Sequence, residues 1–149
     1  MKILVTGRHG QLACALHERA ANRDGIDLVC VGRPELDLEN PHAIRPILHE
    51  LKPDVVVSAA AYTAVDLAED EPDKAERINA LAPGEIAAAA NDIGAAIIHL
   101  STDYVFDGDK TEPYRETDAV NPRSVYGRSK LKGERAVRAA NPMHVILRT

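Results

Sequence analysis

The stretch of sequence that decides the fold is Lys2-Ile3-Leu4-Val5-Thr6-Gly7-Arg8-His9-Gly10-Gln11-Leu12-Ala13. Its first half is a short apolar run, typical of a buried strand, and its second half places two glycines ahead of a helical pattern. Gly7 permits a sharp turn, Gly10 lets a ligand approach the backbone, and the small Ala13 lets a helix pack close to the strand. Unpaired N–H groups at the positive end of a helix dipole bind phosphate well. The pattern therefore predicts a strand, a phosphate-binding turn and a helix.

Four further apolar runs follow along the chain, and segments with helical spacing separate them. The runs are short, rich in β-branched residues and not alternating, which favours strands buried on both faces of a parallel sheet. Strands that alternate with helices build βαβ units with right-handed crossovers. The sequence therefore predicts an α/β fold with a doubly wound, mostly parallel, Rossmann-like sheet, in one domain over residues 1–149. The predicted strands are 2–5, 27–31, 54–58, 95–101 and 143–147, and the predicted helices are 12–20, 44–51, 72–91 (bent at Pro83-Gly84) and 124–139.

The composition is that of an ordinary globular protein, with 45% apolar and 28% charged residues among 149. Lys and Arg number 18 against 23 Asp and Glu, and no basic stripe is present, which argues against a nucleic-acid partner. No run approaches the roughly 18 apolar residues of a membrane span, and the start lacks the pattern of a signal peptide. We expect a cytoplasmic protein with reduced cysteines, no membrane partner and no metal site.

A second motif, Y-x-x-x-K, lies at Tyr126 and Lys130. On a helix, residues four apart share one face, so the phenol and the ammonium can serve one site. A free tyrosine has a pKa of about 10, and a neighbouring cation is expected to lower it. Tyr126 would then donate a proton to a ketone oxygen while Lys130 holds a ribose. The alternative is an unrelated pair of surface side chains.

A third element is a hydroxyl at the end of the fourth predicted strand. Ligands of doubly wound sheets bind at the carboxyl ends of the strands, so a hydroxyl from Ser101 or Thr102 can orient the reacting oxygen. The alternative is that these hydroxyls only close the strand end through local backbone bonds. A glycine turn, a strand-end hydroxyl and a Y-x-x-x-K motif in this order indicate a ketone reductase that uses a nicotinamide cofactor.

The end of the second strand bears on the choice of cofactor. Many NAD enzymes place an acid there to bind the ribose 2′-hydroxyl, whereas this chain places Arg33 first. Arg33 is expected to meet a 2′-phosphate, so NADPH should bind at least as well as NADH. The alternative is an arginine that faces solvent. Asp37 and Leu38 are expected to flank the adenine.

These motifs resemble those of the extended short-chain dehydrogenase/reductase superfamily, and within it those of the dTDP-4-dehydrorhamnose reductase family. The resemblance spans nearly the whole chain and is most specific at 100–108 and 126–134. It implies reduction of the 4-keto group of a dTDP-sugar, dTDP-4-dehydro-L-rhamnose, to dTDP-L-rhamnose by NADPH or NADH. It implies a catalytic triad of Thr102, Tyr126 and Lys130. The cofactor contacts that it implies, beside the triad tyrosine and lysine, are Gly7, Gly10, Gln11, Leu12, Asp37, Leu38, Ala59, Ala60, Ala61 and Tyr62.

Several departures from that family qualify the expectation. Ala13 replaces a third glycine, Ser58 stands where the family commonly has Asn, and Arg8-His9 replaces smaller or amide residues. Family members continue for about another domain, which supplies most of the sugar-nucleotide pocket. We therefore expect this chain to lack most of the C-terminal substrate domain and to turn over poorly alone. Apolar surface left uncovered would favour self-association, for instance a homodimer.

Two other functions remain open from the sequence. One is a non-catalytic dinucleotide-binding subunit, although such proteins are expected to lose a triad residue. The other is a sugar-nucleotide epimerase or dehydratase of the same superfamily. An epimerase would retain tightly bound NAD, whereas a reductase would purify without cofactor.

Overall fold

A computed structural model describes residues 1–149, and its centre is one sheet of five parallel strands in the order β2-β1-β3-β4-β5. Each strand lies within one residue of its predicted bounds. The order reverses at β1 and β3, which confirms the predicted doubly wound fold. The strands are β1 (Lys2–Thr6), β2 (Asp27–Val31), β3 (Val55–Ser58), β4 (Ala96–Ser101) and β5 (His144–Arg148).

Six α-helices surround the sheet. The first, second and last agree with the prediction, whereas the third was missed because its six residues are too few to show a helical period. None of the helices is long and apolar enough to cross a lipid bilayer. The helices are α1 (Gln11–Ala20), α2 (Ile44–Leu51), α3 (Val65–Asp70), α4 (Pro72–Glu76), α5 (Ala82–Asp92) and α6 (Val125–Ala140).

The helix predicted over 72–91 is interrupted by a π-helical turn, Arg77–Leu81, between α4 and α5. Pro83 has no N–H, and its ring crowds the carbonyl four residues earlier, that of Asn79. The N–H of Ala82 bonds instead to the carbonyl of Arg77, one residue beyond the α-helical partner. The π-helical turn therefore lies just before Pro83-Gly84, the position at which the sequence predicted a bend.

The core has two layers because successive strand residues point to opposite faces. Leu4 and Val56 belong to a large cluster that includes residues of α2, α5 and α6. Val5 and Val57 pack on the other face against Ala13 of α1. β1 and β3 are therefore covered on both faces, as predicted.

The edge strand β5 departs from this prediction. Val145 and Leu147 are about half exposed, as is the preceding Met143. The apolar cluster that α1 forms on this face extends to Leu100 of β4 and does not include β5. An apolar strip of Val145 and Leu147 is thus left uncovered, so the expectation of strands buried on both faces is wrong at this edge.

Candidate functional site

A cleft runs along the carboxyl ends of the strands, beside the point where the strand order reverses. It has two adjoining parts, of about 260 Å³ and about 650 Å³. Thr6 and Gly7 at the end of β1, and Ala60 and Ala61 after β3, line both parts. This is the place where doubly wound sheets bind their ligands.

The glycine turn forms the shared wall of the cleft. Gly7 has φ +96°, in the left-handed region that favours glycine, and its N–H donates to the carbonyl of Val31 at 2.7 Å. Gly10 precedes α1, and no side chain caps the first N–H groups of that helix. A Cβ built on Gly10 would meet no atom within 4 Å. Open space above unpaired N–H groups is a cradle into which a phosphate fits.

Two arginines border the smaller part of the cleft, and each is paired with an acid that follows β2. Arg8 Nη2 lies 2.9 Å from Glu35 Oε2, and Arg33 Nε lies 3.8 Å from Asp37 Oδ1. Arg33 and Leu38, two of the predicted cofactor contacts, line the cleft, whereas Asp37 does not. The contact of Asp37 with the cleft is therefore indirect, through its ion pair with Arg33.

The loop after β3 is held in place by hydrogen bonds to its backbone and side chains. The Thr6 hydroxyl accepts from the N–H groups of Ala59 and Ala60, both at 3.0 Å. The Tyr62 hydroxyl donates to Glu71 Oε2 at 2.5 Å. This bond raises the pKa of Tyr62 to about 12, because losing the phenol proton would place two anions side by side. Residues 59–62, all predicted cofactor contacts, line the cleft.

Asn79 is a structural residue of this site whose role the sequence did not indicate. It is fully buried in the π-helical turn, and its Oδ1 accepts from the N–H of Tyr62 at 2.8 Å. Its Nδ2 donates to the Tyr62 carbonyl at 2.9 Å and to Ser129 Oγ at 3.0 Å. Asn79 thus ties the cleft loop to α6. The available signal was an amide among the apolar residues of 78–82, four residues before Pro83.

Lys130 lines the larger part of the cleft, as do Gln11 and Leu12. Its side chain is almost fully buried, with 3% relative exposure for the residue, and its Nζ donates to the Leu100 carbonyl at 2.5 Å. Burial lowers the pKa of Lys130 from 10.5 to about 8, against an opposing effect of Glu134. Lys130 is therefore mainly cationic at neutral pH.

Tyr126 lines the same part of the cleft, one helical turn before Lys130. Burial raises the pKa of Tyr126 above its usual value, and the Thr102 hydroxyl opposes this only in part. The pKa shift is thus opposite to the lowering predicted from the neighbouring lysine, because desolvation of the phenolate dominates. Tyr126 is protonated at neutral pH.

The structure distinguishes the two strand-end hydroxyls. Ser101 Oγ donates to Glu134 Oε1 at 2.6 Å, so Ser101 is committed to α6. Thr102 Oγ1 donates to Asp103 Oδ1 and accepts from the N–H of Tyr104, both at 3.2 Å. Thr102 therefore makes local hydrogen bonds that close the strand end, which was the alternative to a role in orienting the reacting oxygen. Its hydroxyl also lies close enough to Tyr126 to affect the pKa of the phenol.

Close packing of α6 brings Tyr126 and Lys130 to the end of β4. A Cβ on Gly127 would overlap the carbonyl oxygen of Tyr104, and a Cβ on Gly133 would overlap that of Asn79. Neither position can hold a larger residue without moving the helix. The sequence alone did not indicate this close packing at either glycine.

Comparison with known proteins agrees with this geometry. The family described as "RmlD substrate binding domain" matches residues 1–149. A dTDP-4-dehydrorhamnose reductase of Sinorhizobium fredii is 50% identical over 100% of this chain and 50% of its own length. The crystal structure of a dTDP-4-dehydrorhamnose reductase of Clostridium acetobutylicum superposes with a TM-score of 0.95 and 44% identity, over 99% of this chain and 52% of that one. The corresponding Bacillus anthracis enzyme, solved in complex with NADP, gives a TM-score of 0.93 and 36% identity over 99% and 52% of the two chains.

The chain spans about half the length of the curated relatives that it matches. A UDP-glucose 4-epimerase of Thermus thermophilus, solved with NAD, has a TM-score of 0.87 but only 21% identity, so it shows the fold alone. The resemblance recognised in the sequence is confirmed. Over residues 1–149, this chain belongs to the RmlD substrate binding domain family.

Proposed function

We propose that residues 1–149 form an NAD(P)-binding domain and carry the proton donor of a ketone reductase. The observation that carries this proposal is the position of Tyr126 and Lys130. They line the same cleft as Gly7 and Gly10 of the glycine turn. A phosphate cradle and an acid–lysine pair in one cleft suit a dinucleotide whose reactive ring lies beside the acid.

The residues of the cleft fit NADPH or NADH. The α1 end at Gly10, with Gln11 and Leu12, would hold the pyrophosphate, and residues 59–62 would line the dinucleotide. Arg33 and Leu38 would meet the adenosine half, with Arg33 placed for a 2′-phosphate. Lys130 would bind the nicotinamide ribose. When bound, the nicotinamide supplies hydride to the ketone carbon.

The side chains of this chain then handle the proton. Tyr126 is protonated at neutral pH, which is the form that a general acid needs. It donates its proton to the ketone oxygen, and the Thr102 hydroxyl hydrogen-bonds the same oxygen. The charge of Lys130 favours the phenolate that remains. Thr102, Tyr126 and Lys130 are thus the proposed catalytic residues.

The proposed reaction of the whole protein is reduction of the 4-keto group of dTDP-4-dehydro-L-rhamnose to dTDP-L-rhamnose. The names of the relatives support this substrate. Because the chain spans about half of their length, we infer that these 149 residues alone turn over the dTDP-sugar poorly. A cytoplasmic location and a homodimer remain predictions from the sequence.

Calorimetric titration with NADPH, and then with NADH, tests the cofactor proposal on the 149-residue protein. We expect both to bind, NADPH at least as tightly as NADH. Folded protein, checked by circular dichroism, that binds neither would contradict the proposal. NADPH oxidation with the keto-sugar should be slow, and a robust rate would show that this chain holds a complete sugar pocket.

The alternatives have different expected outcomes. A sugar-nucleotide epimerase would purify with NAD still bound, which mass spectrometry of the denatured protein detects. A non-catalytic subunit would bind cofactor but show no turnover that depends on Tyr126. Tyr126 and Lys130 line the cleft and Thr102 lies beside Tyr126, so all three proposed catalytic residues are present, which favours an enzyme over a non-catalytic subunit.

A further inference from the structure

We propose that Glu134 is a positioning residue of this cleft, which ties α6 to the carboxyl ends of β4 and β5 and so places Lys130 and Thr102. This inference rests on the proposed function. Glu134 lines neither part of the cleft. It acts through Lys130, which lines the larger part, and through Thr102, which lies beside Tyr126.

The contacts of Glu134 form a complete buried brace. Its relative exposure is 1%, and its Oε1 accepts from Ser101 Oγ at 2.6 Å and from Arg148 Nε at 2.8 Å. Its Oε2 accepts from Arg148 Nη2 at 2.7 Å, which completes a bidentate pair. Burial of a carboxylate is costly unless it is paired and hydrogen-bonded, and here both oxygens are satisfied. The Arg148 guanidinium also lies 5.0 Å above the ring of Phe106, which holds the arginine in place.

The brace and the lysine hold neighbouring residues of the same strand. Lys130 donates to the carbonyl of Leu100, and one helical turn later Glu134 accepts from the next residue, Ser101. Two successive strand residues are thus pinned to two successive turns of α6. The residue that follows is Thr102, so its position relative to Tyr126 depends on both bonds.

The brace also supplies a negative charge that acts on Lys130. Burial alone would raise the pKa of Glu134, but hydrogen bonds from Arg148 and Ser101 outweigh it and keep the carboxylate ionised. The same carboxylate opposes the effect of burial on Lys130. Lys130 thus stays cationic over a wider pH range than its burial alone would allow.

No other acid takes this role. His99 of β4 faces Lys130 and Glu134 but is neutral, because burial lowers its pKa to about 3. Acids of α3 and α4 reach α6 only at its surface, where Glu69 accepts from the Val125 N–H and Glu76 pairs with Lys132. The remaining charged or titratable groups that act on Tyr126 or Glu134 are Asp103, Tyr104, Arg138 and Arg148.

The test compares Glu134→Gln with Glu76→Gln in the 149-residue protein. Both variants exchange an acid for its amide, but Glu134 is a buried residue of α6, whereas Glu76 is a residue of α4 in an exposed ion pair with Lys132. The first readout is the NMR titration of the Lys130 side chain, identified by the signal that Lys130→Met lacks. The second is the dissociation constant for NADPH as a function of pH, measured by calorimetry.

We expect Lys130 to titrate near pH 8 in the wild type, at a lower pH in Glu134→Gln, and unchanged in Glu76→Gln. Near pH 8, Glu134→Gln should bind NADPH about tenfold more weakly, as expected when Lys130 loses one charge-assisted hydrogen bond. A Lys130 titration that is the same in Glu134→Gln and in the wild type would overturn the inference. A wild type that binds no NADPH would overturn the proposed function, while the Lys130 titration would still decide the role of Glu134.

Ser101→Ala separates geometry from charge and serves if Glu134→Gln does not fold. It removes one bond of the brace and leaves the carboxylate. We expect weaker NADPH binding with an unchanged Lys130 titration. NADPH binding equal to that of the wild type in this variant would show that the brace does not position the cleft.

Discussion

Replacing Gly10 with valine should leave the fold intact and strongly weaken cofactor binding. Gly10 has φ −71° and ψ 153°, which any L residue adopts, and a Cβ there meets no atom within 4 Å. A side chain at this position lowers the entropy of the unfolded chain, a stabilisation of about 0.4–1 kcal/mol. Loss of glycine before a helix costs about 1 kcal/mol. The two effects nearly cancel, so the free energy of unfolding should change by less than about 1 kcal/mol.

Binding should respond much more strongly than stability. The valine side chain would fill the open space above the first N–H groups of α1, where the pyrophosphate is proposed to bind. Hydrogen bonds to a charged group contribute about 1.5–3 kcal/mol each. The loss of one or two of them, about 3 kcal/mol, weakens the affinity for NADPH by about two orders of magnitude.

Gly7→Ala is the matched control, because glycine is required at position 7 for a different reason, its backbone conformation. Gly7 has φ +96°, and its Cβ would lie 3.5 Å from the Cβ of Ala60. This conformation strains an L residue by about 1–2 kcal/mol, so Gly7→Ala should lose stability as well as binding. Urea unfolding measures the first quantity, and calorimetry with NADPH measures the second.

Two results would refute this reasoning. If Gly10→Val binds NADPH as the wild type does, the cradle at α1 is not the pyrophosphate site. If Gly10→Val is destabilised as much as Gly7→Ala, the space above Gly10 is not open in solution.

Three further variants test the electrostatics of the cleft. The lowering of the Lys130 pKa from 10.5 to about 8 corresponds to about 3 kcal/mol of folding free energy. Lys130→Met should therefore unfold at a higher urea concentration than the wild type at pH 7, and it should bind NADPH more weakly. The unfolded wild type binds more protons than the folded protein between about pH 8 and 10.5. The stability advantage of Lys130→Met should therefore fade as the pH rises through that range. Arg33→Ala should reduce the preference for NADPH over NADH, and an unchanged ratio of dissociation constants would show that Arg33 only faces solvent. Burial lowers the pKa of His99 from 6.5 to about 3. The contribution of His99 to the free energy of unfolding should therefore fall by about 1.4 kcal/mol per pH unit as the pH drops below 6.5. Urea unfolding of His99→Gln should show a smaller loss of stability than the wild type between about pH 6.5 and 5.

The strands and the glycine turn were predictable because their signals are local. Runs such as 27–31 and 54–58 are short, apolar and bounded by turn residues, and the same patterns bound the strands of the structure. The turn at Gly7 and Gly10 requires only a strand before it and a helix after it. The spacing of Tyr126 and Lys130 likewise places them on one helix face without any knowledge of packing.

By itself, the sequence determined the α/β class, the five strands, the family resemblance and the order of the cleft residues along the chain. The tertiary structure alone decided that Ser101 serves Glu134 while Thr102 faces Tyr126, that Asn79 holds Tyr62 and Ser129, and that β5 leaves apolar side chains uncovered. It also reversed the expected pKa shift of Tyr126. The physical reason is that these properties depend on contacts between residues up to 50 positions apart and on burial. A local pattern shows which face of an element is apolar, but it does not show which partner or how much water that face will meet.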